Sequence, residues 1–245
     1  MTRLLVLQPD RSDPIGRLGD WLTGAGAVLD VLEPQERPVP ATLDGYQGVV
    51  CLGGAMGALD DVDHPWLADV RKLLSHAVAK RVPTLGICLG GQLLAAATGG
   101  QIRRGPRGPE VGVLLVAKRD VAGSDPLFGD LPWTPDVLQF HVDEIALLPP
   151  TAELLASSPM YQNQAFRVGD NAYGVQFHIE TTPEMVLDWA RGAPDAAACA
   201  RPGQFDPERL ERGHEDIREV WQPFAERFVR LAAGDLATQR NLPLV

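Results

Sequence analysis

Residues 81–92 read RVPTLGICLGGQ, and this stretch decides how the rest of the chain is interpreted. Its apolar run Thr84–Ile87 has the length of a buried parallel strand, and the LLAAA run at 93–97 is typical of a helix. Cys88 stands at the joint, between glycines that permit a tight turn and a close approach of substrate to the backbone. A cysteine at a strand-to-helix turn predicts a nucleophile elbow in which sulfur takes the place of the usual serine oxygen.

The predicted surroundings of Cys88 suit a reactive thiolate. At the N-terminus of a helix the thiol would face amide N–H groups, whose dipole favours a thiolate and any oxyanion formed from it. Free cysteine is also among the residues most often buried, so a purely structural role is the alternative. Strand, turn glycines and helix together favour the nucleophile.

The composition bounds the class of protein. At 245 residues and 45% apolar content the chain can bury a large core, and a single α/β domain of this size is ordinary. The formal net charge of −10 argues against nucleic acid and anionic membrane surfaces as partners. The three cysteines form no C-x-x-C pair, so neither a disulfide framework nor a zinc site is indicated. We also expect no other metal and no cofactor. No apolar run reaches the length of a signal peptide or a membrane span, which predicts a cytoplasmic protein.

Apolar runs and helical spacing alternate along the chain. Strands are predicted at 4–7, 27–32, 48–52, 84–87, 111–116, 137–140 and 172–177, and helices at 15–25 and 66–80. This order indicates an α/β fold, a mainly parallel sheet with helices on both faces. In such sheets the reactive groups collect at the carboxyl ends of the strands.

Two further motifs follow predicted strands. Gly53 and Gly54 end the strand at 48–52, and we expect the N–H groups of Gly54 and Leu89 to stabilise an oxyanion, although two glycines alone often mark only a turn. His178 and Glu180 follow the strand at 172–177. Histidine suits a general base at neutral pH, and in an extended segment Glu180 shares its face and can orient the imidazole. His141 either lines the site or is a structural histidine.

The C-terminal part of the sequence is helical. Thr182 and Pro183 have the composition of a helix start, and that helix is predicted to end at Arg191. A second segment carries an apolar stripe, and Pro223 is expected to kink or restart its helix. The stripe comprises Ile217, Val220, Trp221, Phe224, Phe228 and Leu231. Packing on the sheet is the favoured interpretation, and docking of a partner synthase is the alternative.

Three motifs together carry a resemblance to a known family. The GICLGGQ stretch at 86–92, the Gly-Gly pair at 53–54 and the QFHIE stretch at 176–180 resemble the class I (triad) glutamine amidotransferases, in particular stand-alone domains similar to the amidotransferase half of GMP synthase. The resemblance covers roughly residues 1–190. Residues 191–245 would then be a helical C-terminal extension packed on the same domain. Two positions depart from the family's usual proline, Ile179 between His and Glu and Ala55 after the glycines.

The resemblance implies a flavodoxin-like fold and assigns roles to residues. Cys88, His178 and Glu180 would be nucleophile, base and orienting residue. The substrate glutamine would be held by further residues, namely Gly53, Gln92, His141, Val142 and Asp143. By the same resemblance, the reaction would transfer the γ-glutamyl group of glutamine to Cys88, release ammonia, and then hydrolyse the γ-glutamyl thioester to glutamate.

Other functions compete with this interpretation. Gamma-glutamyl hydrolases have a similar arrangement of Cys, His and Glu, so a γ-glutamyl amide or peptide is an alternative substrate. Intracellular protease-like proteins typically have histidine directly after the nucleophile, where this chain has Leu89. A regulatory module that retains the triad is a third possibility. The acceptor of the ammonia, and a synthase partner that would use it, are not identified by the sequence.

Overall fold

The computed structural model describes residues 1–236. The strands are β1 (Thr2–Leu7), β2 (Ala27–Leu32), β3 (Gly48–Cys51), β4 (Thr84–Ile87), β5 (Gln101–Arg104), β6 (Glu110–Leu115), β7 (Ala117–Lys118), β8 (Asp136–His141), β9 (Asp143–Leu147), β10 (Ala152–Ser157), β11 (Ala165–Val168) and β12 (Ala172–Val175). The α-helices are α1 (Gly16–Gly24), α2 (Trp66–Ala79), α3 (Leu89–Ala97), α4 (Pro183–Gly192), α5 (Pro194–Ala197) and α6 (Pro207–Ala233), and Asp120–Ser124 forms a 3₁₀ helix.

The central sheet has eight strands in the order β2-β1-β3-β4-β12-β11-β10-β7. Neighbours from β2 to β12 pair in parallel, whereas β11, β10 and β7 continue the sheet antiparallel. Two separate ribbons, β5 with β9 and β6 with β8, lie outside it. The predicted α/β class with a mainly parallel sheet is confirmed, and the parallel strands bring their carboxyl ends to one edge.

Alternate residues of β1 divide the core into two layers. Leu4 and Val6 belong to a cluster with side chains of α1 and α6, whereas Leu5 and Leu7 belong to a cluster with α2 and α3. Successive strand residues point to opposite faces, so the two clusters lie on opposite sides of the sheet. Helices therefore cover both faces, as predicted.

The predicted apolar stripe of the C-terminal helix is buried within the chain. Trp221, Phe224 and Phe228 are inaccessible to solvent, and the Trp221 indole N–H donates to the Asp136 carbonyl at 2.9 Å. The stripe therefore offers no free surface for a partner. Pro223 does not restart the helix, since α6 runs through it. Pro223 and Glu219, whose carbonyl loses its helical partner, both lie on the exposed side of α6, where water can take that place.

Over residues 1–236, no helix combines the length and the apolar character needed to cross a bilayer.

Candidate active site

Cys88 occupies the turn between β4 and α3. Its φ of 49° and ψ of −106° are sparsely populated for a residue with a side chain. The backbone is held there because the Cys88 N–H donates to the Val175 carbonyl at 2.9 Å. Val175 belongs to β12, which is itself fixed as a strand of the central sheet. Such strain costs about 1–3 kcal/mol and persists only where the surroundings impose it. The predicted elbow is therefore present in the backbone, with the thiol at the N-terminus of α3.

The glycines around Cys88 are explained by packing of the first turn of α3. A Cβ atom on Gly86 would overlap the Gly90 carbonyl, one on Gly90 would overlap the Cys51 carbonyl, and one on Gly91 would lie 2.5 Å from the Val175 carbonyl oxygen. The helix thus starts in direct contact with the backbones of β3 and β12. These packing contacts are sufficient to explain why the positions are glycine, and no contact between the glycines and a substrate is required.

Replacing Cys88 with glycine should stabilise the protein while removing the thiol. Glycine adopts positive φ without a steric penalty, so we expect the free energy of unfolding to rise by about 1 kcal/mol. Cys88→Ala is the matched control, because alanine also lacks the thiol but keeps the strain. Urea unfolding of the two variants measures the difference, and a glycine variant no more stable than the alanine variant would show that the turn is unstrained.

The candidate base, His178, lies three residues beyond the end of β12. His178 exchanges backbone hydrogen bonds with Leu138 of β8, its N–H donating at 2.8 Å and its carbonyl accepting at 3.1 Å, and it is 2% exposed. Its Nδ1 lies 2.5 Å from Oε1 of Glu180, and Oε2 of Glu180 accepts the Ile179 N–H at 2.8 Å. Both carboxylate oxygens are therefore engaged, which fixes the imidazole.

The charges in this pair are set by mutual attraction inside the fold. Burial by itself would lower the pKa of His178, but the charge of Glu180 and the charge and hydrogen bond of Cys88 raise that pKa well above its usual value. Burial would raise the pKa of Glu180, but the neighbouring His178 keeps it below its usual value. The structure thus brings Cys88, His178 and Glu180 into one group that favours imidazolium between carboxylate and thiol.

Two glutamine side chains form a chain of hydrogen bonds that ends at the Cys88 thiol. The side-chain amide of Gln92 donates to Oε1 of Gln176 at 3.2 Å and to the Asp143 carbonyl at 3.4 Å. Gln176 in turn donates to Sγ of Cys88 at 3.8 Å. Gln92, which is predicted to contact substrate, is thus also part of the support of the sulfur. Gln176 is a contact that sequence reasoning missed, although it belongs to the QFHIE stretch.

Gly54 and Leu89, whose N–H groups are the predicted oxyanion donors, are neighbours in the fold. A Cβ on Gly54 would lie 3.0 Å from the Leu89 side chain. Within residues 1–236 neither the Gly54 N–H nor the Leu89 N–H donates a backbone hydrogen bond. Both N–H groups are thus free of backbone acceptors, which is compatible with the predicted oxyanion role. The Gly53 residue beside them is crowded, since a Cβ there would lie 3.1 Å from Cε1 of His178.

His141 has protein partners at both ring nitrogens. Nδ1 lies 2.8 Å from the Asp143 carbonyl and Nε2 lies 3.2 Å from the Glu110 carboxylate. This arrangement favours the structural alternative, in which His141 holds the loop that carries Val142 and Asp143. Val142 accepts the Gly105 N–H at 2.9 Å, and Asp143 is half-buried, which raises the pKa of its carboxyl. Compared with His141, the Asp143 side chain is therefore more available to contact a substrate.

With this geometry established, comparison with known proteins identifies the family. The model of the class-I glutamine amidotransferase family matches residues 26–186. The chain belongs to this family. Among relatives of the amidotransferase, γ-glutamyl peptidase 4 from Arabidopsis thaliana is 28% identical over 83% of this chain and 79% of its own length. A subunit of the glutamine-hydrolysing GMP synthase from Thermoplasma acidophilum is 34% identical over 66% of this chain and 80% of its own.

Solved structures agree with this assignment. The crystal structure of a glutamine amidotransferase from Methylobacillus flagellatus is 30% identical to this amidotransferase, covers 98% of both chains and superposes with a TM-score of 0.81. The resemblance inferred from the three motifs is therefore confirmed at the level of family and fold.

The two departures from the family's usual prolines each supply a hydrogen-bond donor. Ile179 donates its N–H to Glu180, and Ala55 donates its N–H to the Asp10 carboxylate at 3.1 Å. Proline has no N–H and could make neither contact. In this amidotransferase the loops that proline would stiffen are instead tied down by hydrogen bonds.

Two residues near the imidazole were missed by sequence reasoning. Asp13 is 3% exposed, and its carboxylate approaches Gly53 so closely that a Cβ on Gly53 would overlap it. The indole of Trp189 lies 4.8 Å from the His178 ring between centroids. Within the described residues Asp13, His178 and Glu180 also form the one compact group of potential metal ligands, but the imidazole–carboxylate hydrogen bond accounts for two of them without an ion. Only the position of Asp13 after β1, at the reactive edge of the sheet, could have indicated it.

Proposed function

We propose that this amidotransferase is a cysteine hydrolase that releases ammonia from the side chain of glutamine through a γ-glutamyl thioester on Cys88. The proposal depends mainly on one observation, the thiol on a strained elbow whose neighbour is a buried, carboxylate-bound imidazole. A thiolate paired with an imidazolium is both a nucleophile and a source of the proton that the departing amine needs.

In the proposed acylation step, Sγ of Cys88 attacks the γ-carbonyl carbon of glutamine. The carbonyl oxygen becomes an oxyanion that accepts hydrogen bonds from Gly54 and Leu89, each worth roughly 3 kcal/mol of barrier. His178 donates its proton to the amide nitrogen, the C–N bond breaks, and ammonia leaves. The γ-glutamyl group is then bound to sulfur as a thioester.

In the proposed deacylation step, neutral His178 takes a proton from water. The resulting hydroxide attacks the thioester carbon, the C–S bond breaks, and glutamate leaves with Cys88 again a thiolate beside imidazolium. Glu180 remains ionised throughout, because it holds the imidazole by Nδ1 and stabilises its positive charge. No oxidant, reductant or metal is needed to balance either step.

A second substrate class is favoured by a specific observation. The alignment with γ-glutamyl peptidase 4 spans 83% of this chain, compared with 66% for the GMP synthase relative from Thermoplasma acidophilum. Hydrolysis of a γ-glutamyl peptide uses the same thioester and differs only in the leaving amine. The second candidate is therefore a γ-glutamyl peptidase, acting through the same residues.

Four substrates distinguish these possibilities. We expect the protein to release ammonia from glutamine, or an amino acid from a γ-glutamyl dipeptide, at least about 10²-fold faster than from the matched α-glutamyl dipeptide or from asparagine. A higher kcat/KM for glutamine supports the first candidate, and a higher value for the γ-glutamyl dipeptide supports the second. Lack of activity on both γ-linked substrates would contradict the proposed chemistry.

If glutamine is the preferred substrate, the ammonia requires an acceptor. We propose a partner synthase for that case, since several relatives are named as one subunit of a glutamine-hydrolysing GMP synthase. The buried stripe of α6 cannot be its docking surface, so such a partner would bind elsewhere on the chain. Co-purification from the source cell, with glutaminase activity measured with and without the bound protein, tests this.

A further inference from the structure

Asp13 lies in the loop between β1 and α1, beside the imidazole and outside the candidate triad. One oxygen of Asp13, one ring nitrogen of His178 and one oxygen of Glu180 lie within 4.8 Å of one another, and all three residues are buried. Two carboxyl groups therefore compete for one imidazole. The mechanism proposed above uses only one of them.

The loop that carries Asp13 is fixed from several directions. The Asp13 N–H donates to the Asp10 carbonyl at 3.1 Å, and the Arg17 N–H donates to the Glu180 carbonyl at 2.9 Å. The Trp189 indole N–H donates to the Ser12 carbonyl at 2.7 Å. The same indole packs on His178. These contacts hold the loop against the triad, and the Asp13 side chain is buried there.

Among residues 1–236, the charged groups that face Asp13 leave no cation free to neutralise a second carboxylate. Glu180 and His178 approach it from the end of β12, and Asp10 approaches it from its own loop. On the α6 side, His214 bonds to Thr181 at 3.0 Å, and Arg17 points its guanidinium to the His214 carbonyl at 3.4 Å. The imidazolium already balances Glu180, so ionised Asp13 would be an uncompensated buried charge.

The surroundings of the Asp13 carboxyl group favour its neutral form. Within residues 1–236 its buried Oδ1 has no hydrogen-bond partner, so no donor stabilises a negative charge there, and Oδ2 is left as the oxygen that can share a proton with Glu180. Burial and the charge of Glu180 raise the pKa of Asp13 well above its usual value, and a hydrogen bond with Glu180 acts in the same direction. Of two adjacent carboxyl groups, the one nearer the imidazolium ionises and the other keeps the proton.

We propose that Asp13 is a positioning residue that remains protonated and donates a hydrogen bond to Glu180, so that His178 faces one negatively charged carboxylate and not two. This inference rests on the proposed function for its catalytic consequence. A second negative charge would bind the imidazolium proton more tightly and make His178 a poorer acid toward the leaving amine. A neutral donor keeps Glu180 in place without that penalty.

Stability against pH tests the proton on Asp13 without any substrate. A carboxyl group that is neutral when folded and ionised when unfolded makes folding take up a proton above pH 4, so stability is lost as pH rises. We expect the unfolding equilibrium constant of the wild type, divided by that of Asp13→Asn, to rise about tenfold per pH unit between pH 5 and pH 7. Asp20→Asn, an exposed residue of α1, is the matched control and should give a constant ratio.

A ratio for Asp13→Asn that stays constant over this range would overturn the inference, because it would mean that Asp13 is ionised in the fold. If asparagine does not fit, Asp13→Ser gives the same comparison with a smaller donor. This measurement does not depend on activity, so it can fail or succeed independently of the proposed function.

Kinetics test the consequence for the site. Asparagine can still donate to Glu180, so we expect Asp13→Asn to retain kcat within about threefold and Asp13→Ala to lower kcat by about tenfold with KM little changed. Equal losses in the two variants would contradict the donor role. A change confined to KM would contradict it as well, because it would place Asp13 in substrate binding.

Discussion

Replacing Cys88 with alanine should reduce glutamine hydrolysis by about 10⁴-fold or more. The variant lacks the atom that forms the proposed thioester, and loss of a nucleophile removes the whole covalent route. Alanine adopts the same strained backbone as cysteine, so the fold should be unaffected. Release of glutamate and ammonia by purified wild type and variant, at equal protein concentration and with matched circular dichroism, measures the effect.

The other two cysteines provide the controls for this experiment. Cys199 is exposed, and Cys199→Ala should retain full activity. Cys51 is buried in β3, and its burial raises the pKa of the thiol to about 12, so it is neutral and unreactive at physiological pH. Equal rates for wild type and Cys88→Ala would remove Cys88 from the proposed mechanism.

Replacing Glu180 with glutamine should lower kcat by about 10³-fold while KM changes little. Both oxygens of Glu180 accept hydrogen bonds, one from His178 and the other from the Ile179 N–H. Glutamine has one oxygen and one NH₂ group, so in either orientation a donor meets a donor or the imidazole adopts the wrong tautomer. Steady-state kinetics over a range of glutamine concentrations separates the two parameters.

Glu184→Gln is the matched control for that variant. Glu184 is an exposed residue in the first turn of α4, and the same chemical change there should leave kcat unaltered. An effect of Glu180→Gln that appears only in KM would show that Glu180 binds substrate and does not act through the imidazole.

Much of the fold is encoded in local sequence. The strand Thr84–Ile87 is found at its predicted bounds, because Pro83 and the cysteine turn limit it on both sides. The helix after it begins at Leu89, earlier than the apolar run suggests, since its two glycines have low helix propensity but are required by contact with neighbouring backbones. Ribbon strands such as Gln101–Arg104 were missed because their residues are polar and largely exposed.

The candidate site was only partly predictable, for a physical reason. The spacing of His178 and Glu180 lies within one extended segment, where period-two geometry brings them to one face. That Cys88 meets them depends on β12 lying beside β4, a long-range pairing that no local pattern specifies. Asp13 and Trp189 come from a loop and a helix with no distinctive motif, so their approach to the imidazole emerges only from the fold. The division into residues 1–190 and a C-terminal extension stays a prediction.

The most direct measurement is rapid acid quenching during turnover of glutamine, followed by peptide mass spectrometry. The proposed mechanism predicts a glutamyl acyl group on the peptide that contains Cys88, and none on peptides that contain Cys51 or Cys199. Turnover of glutamine with Cys88 unmodified at every quench time, or with the acyl group on another residue, would contradict it.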